Sequence, residues 1–304
     1  MMGAPENLIV CTTVYPGSEP FLRDWYVSLQ RQTDSAYALW IALDGLTAEQ
    51  VCDCFGDTPD ATWVAAHAGD TPAAIRQQVL SQAVTASDGI VLVDSDDILH
   101  PQRVADARRG LMQHDLVACA LRLVDQHGRD LGRKLSLASG ADPARVLPRH
   151  NIFGLSNTAW RSTLLQRCLP VPAEVEIVDW YLATRAWLIG ARLAFEPSIG
   201  MDYRQHASNM VRVCAPFNRD QVMRDAERVR RHFRLLHGAV PADALGARLA
   251  ELNAVADEVE RFAAWAVAAP GLLDRYIQEL NALDPAPVWW SSVAHPSYRQ
   301  LWSA

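Results

Sequence analysis

The opening third of the chain alternates short, nearly uninterrupted apolar runs with stretches of helical periodicity, and this restricts the possible folds more than any other feature. Asn7–Thr13 (NLIVCTT) reads as a buried strand. Ser18 stands where it can cap a following helix that carries Phe21, Leu22, Trp25 and Leu29 on one face. Tyr37–Leu43 (YALWIAL) predicts a second strand, and Thr47 with Gln50 a capping box before a short helix. Thr62–Ala65 predicts a third strand, and Thr71 with Pro72 supplies the N-cap and first-turn proline of a helix reaching about Thr85. Gly89–Val93 (GIVLV) predicts a fourth strand, which stops abruptly in Asp94-Ser95-Asp96-Asp97, and Pro101 opens another helix. Strands alternating with helices in this way predict an α/β fold, a largely parallel sheet with helices on both faces.

Ligands in such sheets sit at the carboxyl ends of the strands. Cys11–Tyr15, Asp44 and Asp94–Asp97 all fall at such ends, so three separate segments are expected to converge on one cleft. Further on, Leu116–Val124 reads as a strand followed by a turn at His127–Gly128. Asp179–Gly190 reads as a helix carrying Trp180, Ala183, Ala186 and Trp187, and Arg192–Glu196 and Gly200–His206 as strands. Beyond about residue 216 the pattern is helical, with amphipathic stretches at Arg219–Leu236 and Ala242–Ala268. The expected division is therefore a catalytic domain over 1–215 and a helical extension over 216–304.

Composition narrows the functional classes. In 304 residues, 50% are hydrophobic and 21% charged, which are globular values and leave no room for a disordered chain. A net charge of −7 gives no attraction for nucleic acid, so none is expected as a partner. The cysteines at 11, 52, 54, 119, 168 and 214 lack zinc spacing and read as free thiols of a reducing compartment. Leu8–Val14 is short and has no basic leader before it, and no run approaches a membrane span. These features predict a cytoplasmic chain. Arg228, Arg230, Arg231 and Arg234 lie on one helix, where a solvated face is the plainer reading and peripheral contact with an anionic membrane or acceptor the sharper one. Trp25, Trp40 and Trp187 fit core faces. Trp289 and Trp290 read either as anchors of the terminal segment or as a stacking platform for a sugar.

Asp94-Ser95-Asp96-Asp97 is the most telling short segment. Carboxylates crowded at a strand end repel one another, and a hard cation with oxygen ligands, such as Mg²⁺ or Mn²⁺, relieves that repulsion while also holding phosphate oxygens. An acidic turn capping the next helix reads equally well from these residues alone. Asp-Ser-Asp after a buried strand resembles the D-x-D motif of glycosyltransferases with the GT-A fold. Other segments resemble the large inverting family known as family 2. Leu8–Tyr15 (LIVCTTVY) is similar to its opening strand, Ser28–Gln32 (SLQRQ) to the S-x-x-x-Q ending its first helix, and Leu43-Asp44-Gly45 to its D-D-G element. Val178-Asp179-Trp180 resembles its E-D-W element, and Tyr203-Arg204-Gln205-His206 with Asn209 its Y-R-Q-H-x-x-N. The likeness runs from about residue 7 to 210. Leu43 and Val178 stand where that family carries acids, and its Ala-Arg-Asn segment survives loosely as Ala74-Ile75-Arg76-Gln77.

The resemblance implies a GT-A, Rossmann-like and mostly parallel central sheet flanked by helices, and a metal-dependent inverting hexosyl transfer. The donor would be a nucleotide sugar, UDP- or dTDP-linked, and the acceptor a saccharide or glycoconjugate. Mn²⁺ or Mg²⁺ would sit on Asp96 and His206. Asp94 and Ser95 would lie against the donor, Asp94 on its ribose or on a metal-bound water. Arg76 and Arg204 are candidate phosphate partners because guanidinium matches phosphate oxygens in pairs. Asp44 would accept the imide N–H of uracil or thymine, guanine offering a comparable N–H, with Thr13 and Tyr15 flanking the base. Asp179 would be the general base. A nucleotidyltransferase is the weaker alternative, because Tyr15-Pro16-Gly17-Ser18 is no Gly-rich phosphate loop. A non-catalytic nucleotide-sugar-binding partner subunit is the other.

Overall fold

The computed structural model describes residues 3–138, 140–206 and 209–302. The strands are β1 (Leu8–Val14), β2 (Tyr37–Leu43), β3 (Ala61–Ala65), β4 (Gly89–Leu92), β5 (Ile98–Leu99), β6 (Leu116–Asp125), β7 (Asp130–Leu135), β8 (Thr158–Arg161) and β9 (Leu193–Gln205). The helices are α1 (Glu19–Gln30), α2 (Ala48–Phe55), α3 (Pro72–Ala86), α4 (Arg103–Gly110), α5 (Pro143–Val146), α6 (Ser162–Cys168), α7 (Val178–Leu188), α8 (Arg219–His237), α9 (Gly246–Ala268), α10 (Pro270–Leu283) and α11 (Arg299–Trp302). The strands form one sheet in the order β3-β2-β1-β4-β8-β6-β9-β5, with β7 added beside β6. Strands β1 to β4 are mutually parallel, whereas β8 runs antiparallel to both β4 and β6, and β6 and β9 pair in parallel again.

The expected strand and helix alternation is present, and its local causes are visible. Thr47 and Gln50 close the capping box of α2, and the Thr71 hydroxyl accepts the Ala74 N–H ahead of Pro72. Ser18 behaves differently from expectation. Its hydroxyl donates to the Tyr15 carbonyl and accepts the Tyr15 N–H, so it ties the turn after β1 instead of capping α1. The two strands expected at 192–196 and 200–206 are one long strand, β9, which absorbs the irregular Pro197 region as register shifts against β6. The helix expected at Pro101 begins at Arg103, because the residues before it form β5, a two-residue strand that pairs with Met201 and Asp202.

Almost every position of β1 and β4 is buried, as strands covered on both faces require. Helix α7 is buried along most of its length, with Trp180 and Trp187 among the largest enclosed side chains. Trp25 is also fully buried, while Trp40 is half-buried against the core. Arg228, Arg230, Arg231 and Arg234 of α8 pair with Glu176, Glu227 and Glu260, which makes their side of the helix a solvated, charge-paired face. Among the described residues no helix is long and apolar enough to cross a membrane.

Candidate active site

Strand order reverses at β1: β2 and β3 lie to one side of it, β4 to the other. Chain ends leaving such a switch point part from each other and open a crevice at the carboxyl edge. A cleft of about 320 Å³ occupies this position. Thr13 and Tyr15 enter it from the end of β1, Asp44 from β2, and Asp94 and Asp96 from β4. Helix α3 contributes Arg76 and the first turn of α7 contributes Asp179. Seven residues proposed from sequence as site residues thus line one cavity.

The acidic segment is held from three sides. The Ser95 hydroxyl donates to the Thr13 carbonyl at 2.9 Å, which pins β4 to β1. The Asp97 carboxylate accepts the Arg204 N–H at 2.8 Å and bonds the Ser156 hydroxyl. The Arg204 guanidinium donates to the Asp96 carbonyl at 2.8 Å, the Gln126 carbonyl at 2.9 Å and Asp24 at 3.1 Å, and lies over the Phe21 ring. Two expectations therefore change. Ser95 is fully buried and Arg204 is 1% exposed, so both act as fasteners of the acidic loop and neither faces the cleft as a donor contact. The physical reason is the short β5–β9 pairing, which folds the loop back over Arg204 and spends its donors on carbonyls.

Asp96 does face the cleft. One of its carboxylate oxygens accepts the Tyr15 hydroxyl at 3.1 Å and lies 2.9 Å from His206 Nε2. The His206 ring stacks on Phe21, with centroids 4.9 Å apart, and the His206 backbone N–H donates to the Asn209 side-chain oxygen. Asp96 and His206 are thus adjacent. Among the described residues no set of three acidic, His or Cys side chains closes into a complete cation cage. Two adjacent protein donors do fit Mg²⁺ or Mn²⁺, which take few protein ligands and share the rest with substrate oxygens and water.

Electrostatics report the same crowding. Burial and the neighbouring Asp96 push Asp94 up to about 7, against the opposing pull of Arg76. Burial, then Asp96 and Asp94, hold Asp97 well above the ordinary carboxylate range. Burial pushes Asp179 up to about 6, while the Trp180 N–H, the Asn151 amide and the Arg76 charge restrain it. Among the described residues Arg76 hydrogen-bonds only the Pro72 carbonyl of its own helix, at 3.5 Å, so its charge is directed at the cleft carboxylates. Asp44 is half-buried beside Gly45, whose φ of 71° turns the chain away so that the carboxylate stays in the cleft.

Two residues that support the cleft had no sequence signal as site residues. Asn151 and Ser156 lie in an irregular buried loop and bond Asp179 and Asp94 respectively. Trp289 and Trp290 reach the same cleft from the C-terminal segment, both at least nine-tenths buried. Trp289 donates to the Tyr203 hydroxyl at 3.2 Å and meets its ring edge-on. They are anchors and cleft wall at once, so both of the alternatives left open from sequence describe part of their position.

No protein-family model matches the chain, and no curated protein matches it in sequence. Solved structures do match in three dimensions. The mannosyltransferase PcManGT of Pyrobaculum calidifontis, in complex with GDP-Man and Mn²⁺, superposes with a TM-score of 0.56 at 16% identity, over 91% of this chain and 81% of that one. TarS residues 1–349 of S. aureus, in complex with UDP-GlcNAc, gives 0.53 at 15% identity, over 97% and 92%. The same TarS fragment with UDP gives 0.54 at 14% identity, over 86% and 71%. The chain has a glycosyltransferase fold. At these identities the likeness is one of architecture.

Proposed function

We propose that this protein is a metal-dependent, inverting glycosyltransferase. It moves a sugar from a nucleotide-sugar donor, UDP- or dTDP-linked, to a hydroxyl of a saccharide or glycoconjugate. One observation carries the reading. A carboxylate adapted to accept protons near neutrality, Asp179, shares a single cleft with the Asp94 and Asp96 carboxylates and with Asp44. The architecture supports it, since the matching structures were captured with GDP-Man and Mn²⁺ or with UDP-GlcNAc.

Asp96 and His206 would hold Mn²⁺ or Mg²⁺, which neutralises charge on a departing diphosphate. Arg76 offers a second cation to the same phosphates. Asp44 suits the imide N–H of uracil or thymine, with Thr13 and Tyr15 beside the base. Asp94 accepts from the donor's ribose. Asp179, in the first turn of a buried helix, takes the proton of the acceptor hydroxyl as that oxygen attacks from the face opposite the leaving group, which inverts the anomeric centre. Arg204 and Ser95 belong to the support of this site. Residues 1–215 supply the donor side, and 216–304 contribute Trp289 and Trp290 to the remaining wall.

The test is donor binding by calorimetry with UDP-, dTDP- and GDP-linked sugars, with Mn²⁺ and after EDTA. Metal-dependent binding of one nucleotide class, weakened by Asp44→Ala, is expected. Equal failure of every donor with and without metal refutes the reading.

A further inference from the structure

The residues around Asp179 are themselves organised from an unexpected direction. Asn151 is fully buried, and its Nδ2 donates to Asp179 Oδ2 at 2.9 Å. Its Oδ1 accepts the Phe153 N–H at 3.0 Å, which fixes the amide so that its NH₂ side, and not its carbonyl, meets the carboxylate. The other carboxylate oxygen accepts the Trp180 N–H at 2.7 Å. Asp179 is therefore gripped at both oxygens.

The loop that carries Asn151 is locked by the C-terminal segment. Asn151 pairs with Trp289 through an isolated antiparallel backbone bridge. Three residues on, Gly154 lies flat beneath the indole: a Cβ placed there would stand 2.6 Å from the Trp289 ring. Tyr203 closes the same ring from the opposite strand. Trp290 follows with φ 68° and Ala294 with φ 48°, left-handed conformations that bulky or branched side chains avoid and that persist only where surrounding packing imposes them. Tyr276 and Asp225 supply that packing, through bonds to the Ser292 carbonyl and hydroxyl and to the His295 N–H.

We propose that Asn151 is the positioning residue of Asp179, and that Trp289 is the wedge by which the C-terminal segment holds Asn151 in place. This rests on the reading of Asp179 as the base, but the geometry that supports it does not. A donated hydrogen bond to the charged carboxylate stabilises the ionised form, and so keeps the base deprotonated at working pH. The other titratable groups lining the cleft with Asp179 are Tyr15 after β1, Asp44 after β2, Arg76 on α3, Asp94 and Asp96 after β4, Glu176 before α7, and Tyr203 on β9. Arg76 acts in the same direction as Asn151 and the carboxylates act against it.

The experiment follows unfolding by urea across about pH 4–8 in EDTA, for the wild type, Asn151→Ala, Trp289→Ala, Asp179→Asn and the two pairwise combinations with Asp179→Asn. The pH step that Asp179→Asn removes is the titration of Asp179 itself. In Asn151→Ala that step is expected to move up by about one pH unit, the size of one charge-assisted hydrogen bond. Trp289→Ala moves it in the same direction by less. Asn151→Asp, which keeps the shape and the Phe153 bond, moves it further up and serves if the alanine variant does not fold. A step left in place by both Asn151 variants overturns the positioning role, and one left in place by Trp289→Ala overturns the wedge. None of these readings needs turnover, so a protein that fails to bind any donor yet shows the moved step refutes glycosyl transfer alone. If donor turnover is present, its acidic limb in kcat shifts with the same variants while the donor KM holds.

Discussion

Replacing Asp179 by asparagine should slow sugar transfer severely and stabilise the fold, and the pH at which the gain appears tests the whole account of the site. The carboxyl is raised from its ordinary 3.8 to about 6, chiefly by burial. The folded state therefore binds this proton more tightly than the unfolded chain does. Below about pH 3.8 both states are protonated and the group costs nothing. As pH rises through about 6 the folded protein comes to carry an enclosed charge, and the full cost is about 3 kcal/mol at neutrality. The partial exposure of the residue at the cleft makes this an upper bound. Asparagine removes the charge and keeps the bond from the Trp180 N–H. Its new NH₂ meets the NH₂ of Asn151, which cannot turn without giving up the Phe153 N–H, and that mismatch costs about 1–2 kcal/mol. The net expectation is a gain of about 1–2 kcal/mol near pH 7.5, or ~2–3 °C in Tm, measured without metal or donor. Near pH 4 the gain disappears and the mismatch leaves the variant less stable. Sugar transfer falls about 10²- to 10⁴-fold with donor affinity retained. A variant no more stable than the wild type at pH 7.5, or equally stabilised at pH 4, refutes the assignment of a destabilised, proton-accepting carboxylate.

The remaining expectations concern the support of the cleft. Arg204→Met should cost about 3 kcal/mol in urea unfolding, because it leaves the Asp96 and Gln126 carbonyls without their donors; a loss of donor affinity with unchanged stability would restore Arg204 to a phosphate-binding role. Gly154→Ala should cost about 1–3 kcal/mol through the clash with the Trp289 ring, and Gly154→Ala combined with Trp289→Ala should recover most of it, as thermal melts would show. Asp44→Asn should weaken donor binding about tenfold by calorimetry while leaving the melting temperature within a degree or so, since the carboxylate lies at the cleft edge outside the core.

The alternation of strand and helix was legible because each element announces itself locally. β1 and β4 are continuous apolar runs, and α2 and α3 carry their own caps. The same holds for Asp44, Asp94 and Asp96, which end strands and so fall at the carboxyl edge of any parallel sheet built from them. The two-residue β5 and the continuous β9 were not legible, since a short strand has no periodicity and Pro197 reads as a break. Arg204 was misjudged for a related reason. An arginine beside a histidine in a site motif looks like an anion contact, and only the folding of the acidic loop over it shows that its donors are taken.

By itself, then, the sequence determined the layered α/β architecture and the carboxyl edge at which Asp44, Asp94 and Asp96 line one cleft. Those follow from periodicity and from the direction in which strands end, which are properties of neighbouring residues. What the tertiary structure decided is which groups are free to act and which only hold them. Asn151 reaches Asp179, and Trp289 reaches Asn151, across separations in the chain that no local pattern spans. Such contacts are selected by packing a loop and a C-terminal segment against the same wall, where shape and unsatisfied donors, and not residue order, choose the partners.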